Sequence, residues 1–294
     1  MISQKISEWL KIQKQKHKLS VKLINLNAIS QWDYHNSTIR HKTRKFFNRQ
    51  FVSCDELDFY RDFSPVTRIY SRLDETKRLA IKPYINFSRA QFAQDLFAIA
   101  YTKGAKNQFF VEFGATDGVE LSNTWLLEKK LEWSGILAEP AKIWHEKLKS
   151  QRACNIEHRC VSNKSGEILR FYEVPDSPVL SSLEVTANNG DWASNYRLEN
   201  HLEYTVETIS LDDLLDYYNA PGTIQFLSMD TEGGEFKILD SHQFTSRKIE
   251  CICIEHNYND IERNKIFRCL DEQGYKRVHT DISLCDDWYV LENI

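Results

Sequence analysis

Residues 109–124 read FFVEFGATDGVELSNT. An apolar run ends in Glu112, a turn runs from Gly114 through Ala115, Thr116 and Asp117 to Gly118, and Ser122 and Asn123 stand where a helix can begin. Strand, glycine turn and helix in that order form the unit at which open α/β sheets hold nucleotide-like ligands, because a tight turn of bare backbone lets ligand atoms lie against the chain. The glycines are spaced G-x-x-x-G rather than G-x-G-x-x-G, and an acid stands two positions before the first. A dinucleotide fingerprint presents a pyrophosphate to a helix N-terminus. A carboxylate at that place would repel a pyrophosphate but suits the ammonium of an amino acid. The chemistry therefore favours S-adenosylmethionine, which carries an ammonium and no phosphate, over NAD.

Further acids follow other apolar runs. Glu139, just before Pro140, ends a second run at a spacing from the glycine turn that suits ribose hydroxyls. Ser162, Asp230 and the pair Glu255 and His256 end three more. Ligands of open α/β sheets bind at the carboxyl ends of strands, so these side chains are expected to converge. Asp230, Glu232, Glu255 and His256 are candidates for a general base that takes a proton from an acceptor hydroxyl, and the unperturbed pKa of histidine suits that task best. Asp230, Glu232 and Glu255 could instead hold a divalent cation, since hard oxygen ligands suit Mg²⁺. No Cys/His cluster points to zinc, and His145, His158 and His201 stand alone in the sequence.

The elements that must position these groups follow from the pattern. Apolar residues at helical spacing predict a helix over 88–103, capped by Ser88. Strands are predicted near 108–113, 135–139, 156–162, 224–229 and 250–255, alternating with helices over 121–131, 141–150, 211–218, 234–240 and 259–272. Strands near 167–173 and 204–209 flank a polar and aromatic loop over 175–200, and Ser210 caps the helix at 211. In that loop, Trp192, Tyr196 and Arg197 could stack on a sugar or pair with a phosphate. Two last strands, near 275–279 and 287–292, form a closing hairpin. Apolar runs separated by helices imply an α/β fold with a mostly parallel sheet covered on both faces.

The chain is 294 residues long, enough for one large domain or a domain with an extension. No apolar run approaches the ~20 residues of a membrane span, and the N-terminal residues have no signal-peptide apolar core. Seven cysteines without C-x-x-C spacing argue for free thiols in a reducing, cytoplasmic setting. Cys251 and Cys253 alternate in an apolar strand, as two small core residues on one sheet face would. Residues 1–50 hold eleven Lys or Arg against Glu8 and Asp33, although the whole chain is at −4. That segment interleaves apolar residues with its charges and is predicted to form a helix near 2–17 and strands near 20–26 and 46–53, with loop or helix over 55–85. We divide the chain into a basic N-terminal extension, 1–87, and a ligand-binding domain, 88–294.

These residues resemble a known family. FVEFGATDGVELSNT, LAEP, FLSMDTEGGEFKIL and CIEHN look like the FkbM-type methyltransferases, over roughly residues 88–294. The most specific parts are D-x-E-G-x-E (Asp230, Glu232, Gly233, Glu235) and G-x-x-D-G-x-x-x-S-N-T (Gly114, Asp117, Gly118, Ser122, Asn123, Thr124). Gly234 departs from the family's usual small apolar residue, with little effect expected. The resemblance implies a class I methyltransferase Rossmann-like fold: a mostly parallel seven-stranded sheet with an antiparallel C-terminal hairpin. It also implies an S-adenosylmethionine-dependent O-methyltransferase, many relatives of which act on sugars. By resemblance, Glu112, Gly114, Asp117, Gly118, Asn123 and Glu139 contact the cofactor, with Ala115, Thr116, Ser122 and Pro140 beside them. Arg159, Cys160, Val161 and Ser162 then flank the adenine, and Asp230 lies near the transferred methyl group. The start of the chain (Trp9, VKLINLNAISQW, IRH at 39–41, KFF at 45–47) resembles NDP-hexose 2,3-dehydratases, which points to a sugar acceptor, nucleotide-linked or part of a glycan. The competing acceptors are a polyketide, lipid or peptide, and the competing role is a non-catalytic interaction protein on the same fold. Nucleic acid is not an expected partner, and no transmembrane segment is expected.

Overall fold

A computed structural model describes residues 64–188 and 193–292. The predicted helix near 2–17, the strands near 20–26 and 46–53, Cys54 and Trp192 lie outside the described residues.

Five parallel strands carry the site. β1 (Phe109–Phe113) lies at the centre of a seven-stranded sheet, between β2 (Ser134–Ala138) and β8 (Thr223–Met229). Beyond β2 lies β3 (Asn155–Glu157), and beyond β8 lies β9 (Lys248–Glu255). β11 (Asp286–Leu291) runs antiparallel between β9 and β10 (Tyr275–Val278), so the final hairpin places one reversed strand in the sheet, as the sequence predicts. Val111 pairs with Ile136 on one side and Leu227 on the other, which aligns the carboxyl ends of β1, β2 and β8. Aromatic and β-branched residues fill these strands because both faces are covered. Phe110, Phe226, Cys251, Cys253 and Trp288 face one core, and Val111, Leu227, Ile252, Ile254 and Tyr289 face the other. Cys251 and Cys253 thus share one face as small core residues.

The first core is closed by α1 (Pro65–Arg72), α2 (Glu75–Ile81), α3 (Gln94–Tyr101) and α4 (Trp125–Leu131). α5 (Lys142–Gln151) follows β2. α7 (Leu211–Tyr217), α8 (Glu235–Ser241) and α9 (Asp260–Glu272) pack on the second core, after α6 (Ser194–Glu199). Ser210 caps α7 as expected, accepting from the Asp213 amide at 3.1 Å. The predicted Ser88 cap is corrected. The buried Asp95 carboxylate draws in the Ser88 hydroxyl, which donates to it at 2.7 Å, and α3 starts only at Gln94, after Ala93 in the left-handed region.

A second correction concerns residues 156–162. The single predicted strand is two, broken at His158–Arg159. β3 belongs to the main sheet, and β4 (Cys160–Ser162) begins a four-stranded sheet of order β4-β7-β5-β6, with β5 at Ile168–Glu173, β6 at Ser182–Leu183 and β7 at Leu202–Ser210. The predicted loop over 175–200 accordingly contains a 3₁₀ turn (Pro178–Leu180), β6 and α6. This small sheet packs Cys160, Phe171, Leu183 and Val206 against Ala141.

Candidate active site

A cleft of about 1410 Å³ opens at the carboxyl ends of the parallel strands. Its lining includes Glu112, Gly114, Thr116, Ser122, Asn123, Glu139, Pro140, Cys160, Val161, Asp230, Glu232 and Glu255. Ala115, Asp117, Gly118, Ser162 and His256 are not among the lining residues. The structure therefore gathers most of the residues picked out from strand ends and leaves five off the lining.

The glycine turn fits because of two close approaches. Gly114 has φ +73°, and a Cβ there would stand 2.3 Å from the Asp230 carbonyl oxygen, so the ends of β1 and β8 can meet only over a glycine. Gly118 has φ +76°, and a Cβ there would meet Leu148 and Arg152 side chains at 2.5 and 2.7 Å. Asp117 turns inward: its Oδ1 accepts from the amides of Val119 and Glu120, both at 2.8 Å, and its Oδ2 pairs with Lys147. Glu112 acts on the protein as well. Its carboxylate accepts from the Asn123 amide (2.7 Å), the Ser122 hydroxyl (3.0 Å) and the Thr124 hydroxyl (2.5 Å), which clamps the start of α4 to β1. Burial raises its pKa, and the charge of Arg152 opposes that rise.

Glu139 has both carboxylate oxygens anchored by backbone amides at the cleft. One oxygen accepts from the Thr116 amide at 2.7 Å and the other from the Ala141 amide at 2.9 Å. Each oxygen retains a second lone pair. Burial pushes the carboxyl up to about 7, against those two backbone bonds. Nearby, Asn123 donates to the Ser228 hydroxyl at 2.8 Å, while its buried Oδ1 has no partner and suits a cationic or N–H donor. Pro140, together with Cys160, Val161, Phe171 and Leu183 of the small sheet, adds an apolar wall. A carboxylate for hydroxyls, an orphan acceptor for an ammonium and an apolar slot for a flat ring together fit S-adenosylmethionine. Arg159 turns away to pair with Glu157 at 2.6 Å.

The opposite half of the cleft is acidic. Asp230, Glu232 and Glu255 bring carboxylate oxygens within 4.8 Å of one another, and Glu255 does the same with Cys285 and Asp286. Burial raises the Asp230 carboxyl to about 7, assisted by the charge of Glu235. Burial also lifts Glu255 well above its ordinary range, assisted by Asp230. The two carboxyls bring oxygens within 4.8 Å of each other, so each disfavours the other's ionisation. Asn257 donates to Glu255 at 2.7 Å. Glu235 is spent on its own loop, accepting from Thr231 and Gly233 amides and the Thr231 hydroxyl. Gly234 leaves room for that hydroxyl, since a Cβ there would lie 2.9 Å from it.

Several contributors escape a reading by strand ends. Asp286, on β11, accepts from Gln94 at 2.7 Å, and both line the cleft. Burial raises Asp286 to about 7. Arg197 is fully buried: it donates to the Leu180 carbonyl (2.6 Å), the Ala187 carbonyl (2.9 Å) and Glu232 (2.8 Å). It ties Leu180 and Ala187 to Glu232 beyond the end of β8 and is not offered to a phosphate. His256 is buried with its Nδ1 accepting from the Tyr258 amide at 3.0 Å, and burial lowers its pKa. The other histidines do not stand alone. His145 and His158 rings lie 3.8 Å apart, and His201 stacks on Tyr172 at 3.7 Å.

The methyltransferase FkbM domain model matches residues 112–277, more than half of the chain. The chain belongs to the FkbM methyltransferase domain family. The match takes in Glu112, Glu139, Asp230 and Glu255 and stops before Asp286. The NDP-hexose 2,3-dehydratase model matches residues 3–58, ahead of the FkbM domain. A crystal structure of methyltransferase FkbM from Methylobacillus flagellatus KT is similar, at 14% identity and a TM-score of 0.39. The similarity covers 79% of this chain and 60% of that one, less than two thirds of its length. No curated protein matches the chain significantly. No helix among the described residues is long and apolar enough to cross a membrane.

Proposed function

We propose that this FkbM chain is an S-adenosylmethionine-dependent O-methyltransferase that methylates a hydroxyl of a sugar, free, nucleotide-linked or in a glycan. The carrying observation is the meeting, in one cleft, of Glu139 with its apolar slot and the paired carboxyls Asp230 and Glu255. When bound, S-adenosylmethionine supplies an electrophilic methyl group. Glu139 holds the ribose hydroxyls, and Asn123 Oδ1 receives the ammonium. Gly114 and Thr116 bring bare backbone to the ligand. Asp230 takes the acceptor proton, and Glu255 shares it. A hydroxyl is a poor nucleophile, so alignment and proton removal are the protein's share of the work. With a raised pKa, the carboxyl pair is a better base near neutral pH than an ordinary carboxylate. His256 supports the neighbouring turn. Glu232 pairs with Arg197, which leaves Asp230 and Glu255 as the oxygens most available to a divalent cation. Mg²⁺ titration followed by EDTA tests that ancillary role. The N-terminal resemblance to NDP-hexose 2,3-dehydratases supports a sugar acceptor. We take 1–87 as an extension whose helices α1 and α2 pack into the first core of the methyltransferase domain, 88–294.

The test is calorimetric titration of S-adenosylhomocysteine into wild type and Glu139→Ala. Micromolar binding that falls at least about tenfold in the variant is expected, as for loss of a charged hydrogen bond worth ~1.5–3 kcal/mol. No binding to wild type overturns the reading.

A further inference from the structure

Strain in the backbone gathers around the cleft. Twelve described non-glycine residues have positive φ, and six of them (Thr116, Leu121, Glu232, Asn257, Tyr258 and Leu284) line this one site. A left-handed conformation is unfavourable for a residue with a Cβ and persists where its surroundings over-determine it. Asn257 and Tyr258 adopt it consecutively, at φ 47° and 59°. The amides of His256 and Asn257 donate to the Cys285 carbonyl at 2.8 and 3.2 Å, and the Asn259 amide donates to the His256 carbonyl at 2.7 Å. The Tyr258 amide donates to His256 Nδ1, and the His256 ring meets the Tyr258 ring at 83°.

This turn has two visible products. Asn257 reaches back to Glu255 and Glu232. Tyr258, by contrast, remains 50% exposed on the cleft wall. An aromatic side chain fixed by this turn and half exposed on the cleft wall is placed to meet a ligand. We propose that Tyr258 is the acceptor platform, its ring stacking against the C–H face of the sugar whose hydroxyl meets Asp230 and Glu255. The proposal rests on the sugar O-methyltransferase reading. Pyranose C–H groups are weakly positive and suit the negative face of an aromatic ring. The acidic floor beside it accepts hydrogen bonds from hydroxyls and disfavours an anionic group there. In the reaction, the acceptor oxygen forms the new O–C bond, the C–S pair remains on sulfur and the O–H proton passes to Asp230.

The test uses the full chain saturated with S-adenosylhomocysteine. Methyl glucoside, methyl rhamnoside, UDP-glucose and dTDP-glucose are titrated by saturation-transfer NMR and calorimetry into wild type, Tyr258→Phe and Tyr258→Ala. S-adenosylhomocysteine affinity is read on each variant first and is expected to stay within about threefold. Sugar affinity is expected to fall roughly tenfold or more in Tyr258→Ala and to stay within about threefold in Tyr258→Phe, because the ring is retained. Equal sugar binding by wild type and Tyr258→Ala overturns the platform and leaves the sugar reading standing. Binding of S-adenosylhomocysteine without any of the four sugars overturns both.

Discussion

Arg197→Met removes a guanidinium that has no access to water and donates to Leu180, Ala187 and Glu232. Breaking a buried ion pair from one side costs about 3–5 kcal/mol, because the remaining charge loses its partner in a poorly solvated place. Two carbonyls that lose a donor add about 1 kcal/mol each, and the methionine's packing offsets part of the sum. A net loss of about 4 kcal/mol is expected, a large share of the ~5–15 kcal/mol of an ordinary domain. At about 2–4 °C per kcal/mol for a domain of this size, the melting temperature falls by roughly 10 °C. Arg197→Lys keeps the charge, but one ammonium cannot reach three acceptors spread along the wall, so about half of that loss is expected. Urea and thermal melts measure the global cost. Hydrogen exchange over residues 178–188 detects the alternative, in which the wall detaches while the sheet stays folded. If Arg197→Met melts within about 2 °C of wild type and exchange there is unchanged, the reasoning about this buried pair is wrong.

Two further perturbations read other parts of the site. Gly114→Ala forces a Cβ to 2.3 Å from the Asp230 carbonyl at positive φ, so a loss of ~2–4 kcal/mol and at least tenfold weaker S-adenosylhomocysteine binding are expected; a wild-type melt and affinity would refute the close approach. Asp286→Asn tests the acidic floor by pH. The folded state raises this carboxyl from 3.8 to about 7, so its contribution to stability is full below pH ~4 and is lost as pH rises through 7. Wild type should therefore lose stability between pH 5 and 8, and Asp286→Asn, which still accepts from Gln94, should lose less and be the more stable of the two at pH ~8. Urea melts at the two pH values check this, and parallel pH curves for both proteins would contradict it.

The strand-end logic made the sheet and half of the cleft legible. β1, β2, β8 and β9 each end an apolar run in or beside an acid, so Glu112, Glu139, Asp230 and Glu255 could be placed from local pattern. Side-chain direction was less accessible. Asp117 and Glu112 sit in the right segment, but turn dihedrals and neighbouring amides point both carboxylates into the protein. Gln94 and Asp286 meet across 192 residues, a pairing that no window along the chain contains. From sequence Arg197 reads as a residue free to meet a sugar or a phosphate, because nothing nearby in sequence shows that Glu232 and two carbonyls enclose it. The split at His158–Arg159 had a local sign, since three consecutive polar residues from Glu157 interrupt the run. Its consequence, a second sheet, depended on β4 pairing with the distant β7.

That pairing also separates two jobs along the chain. β4 and β7 lie side by side and parallel, with Cys160 opposite Thr208, and β5 pairs along β7 from Glu207 to Leu202, so the chain between β4 and β7 is built into the small sheet and not the main one. A change in this segment acts first on the four-stranded sheet and leaves the strand pairing of the seven-stranded sheet in place. The small sheet's side of the cleft can thus vary while Gly114, Glu139 and Asp230 keep their places at the ends of strands that belong to the other sheet.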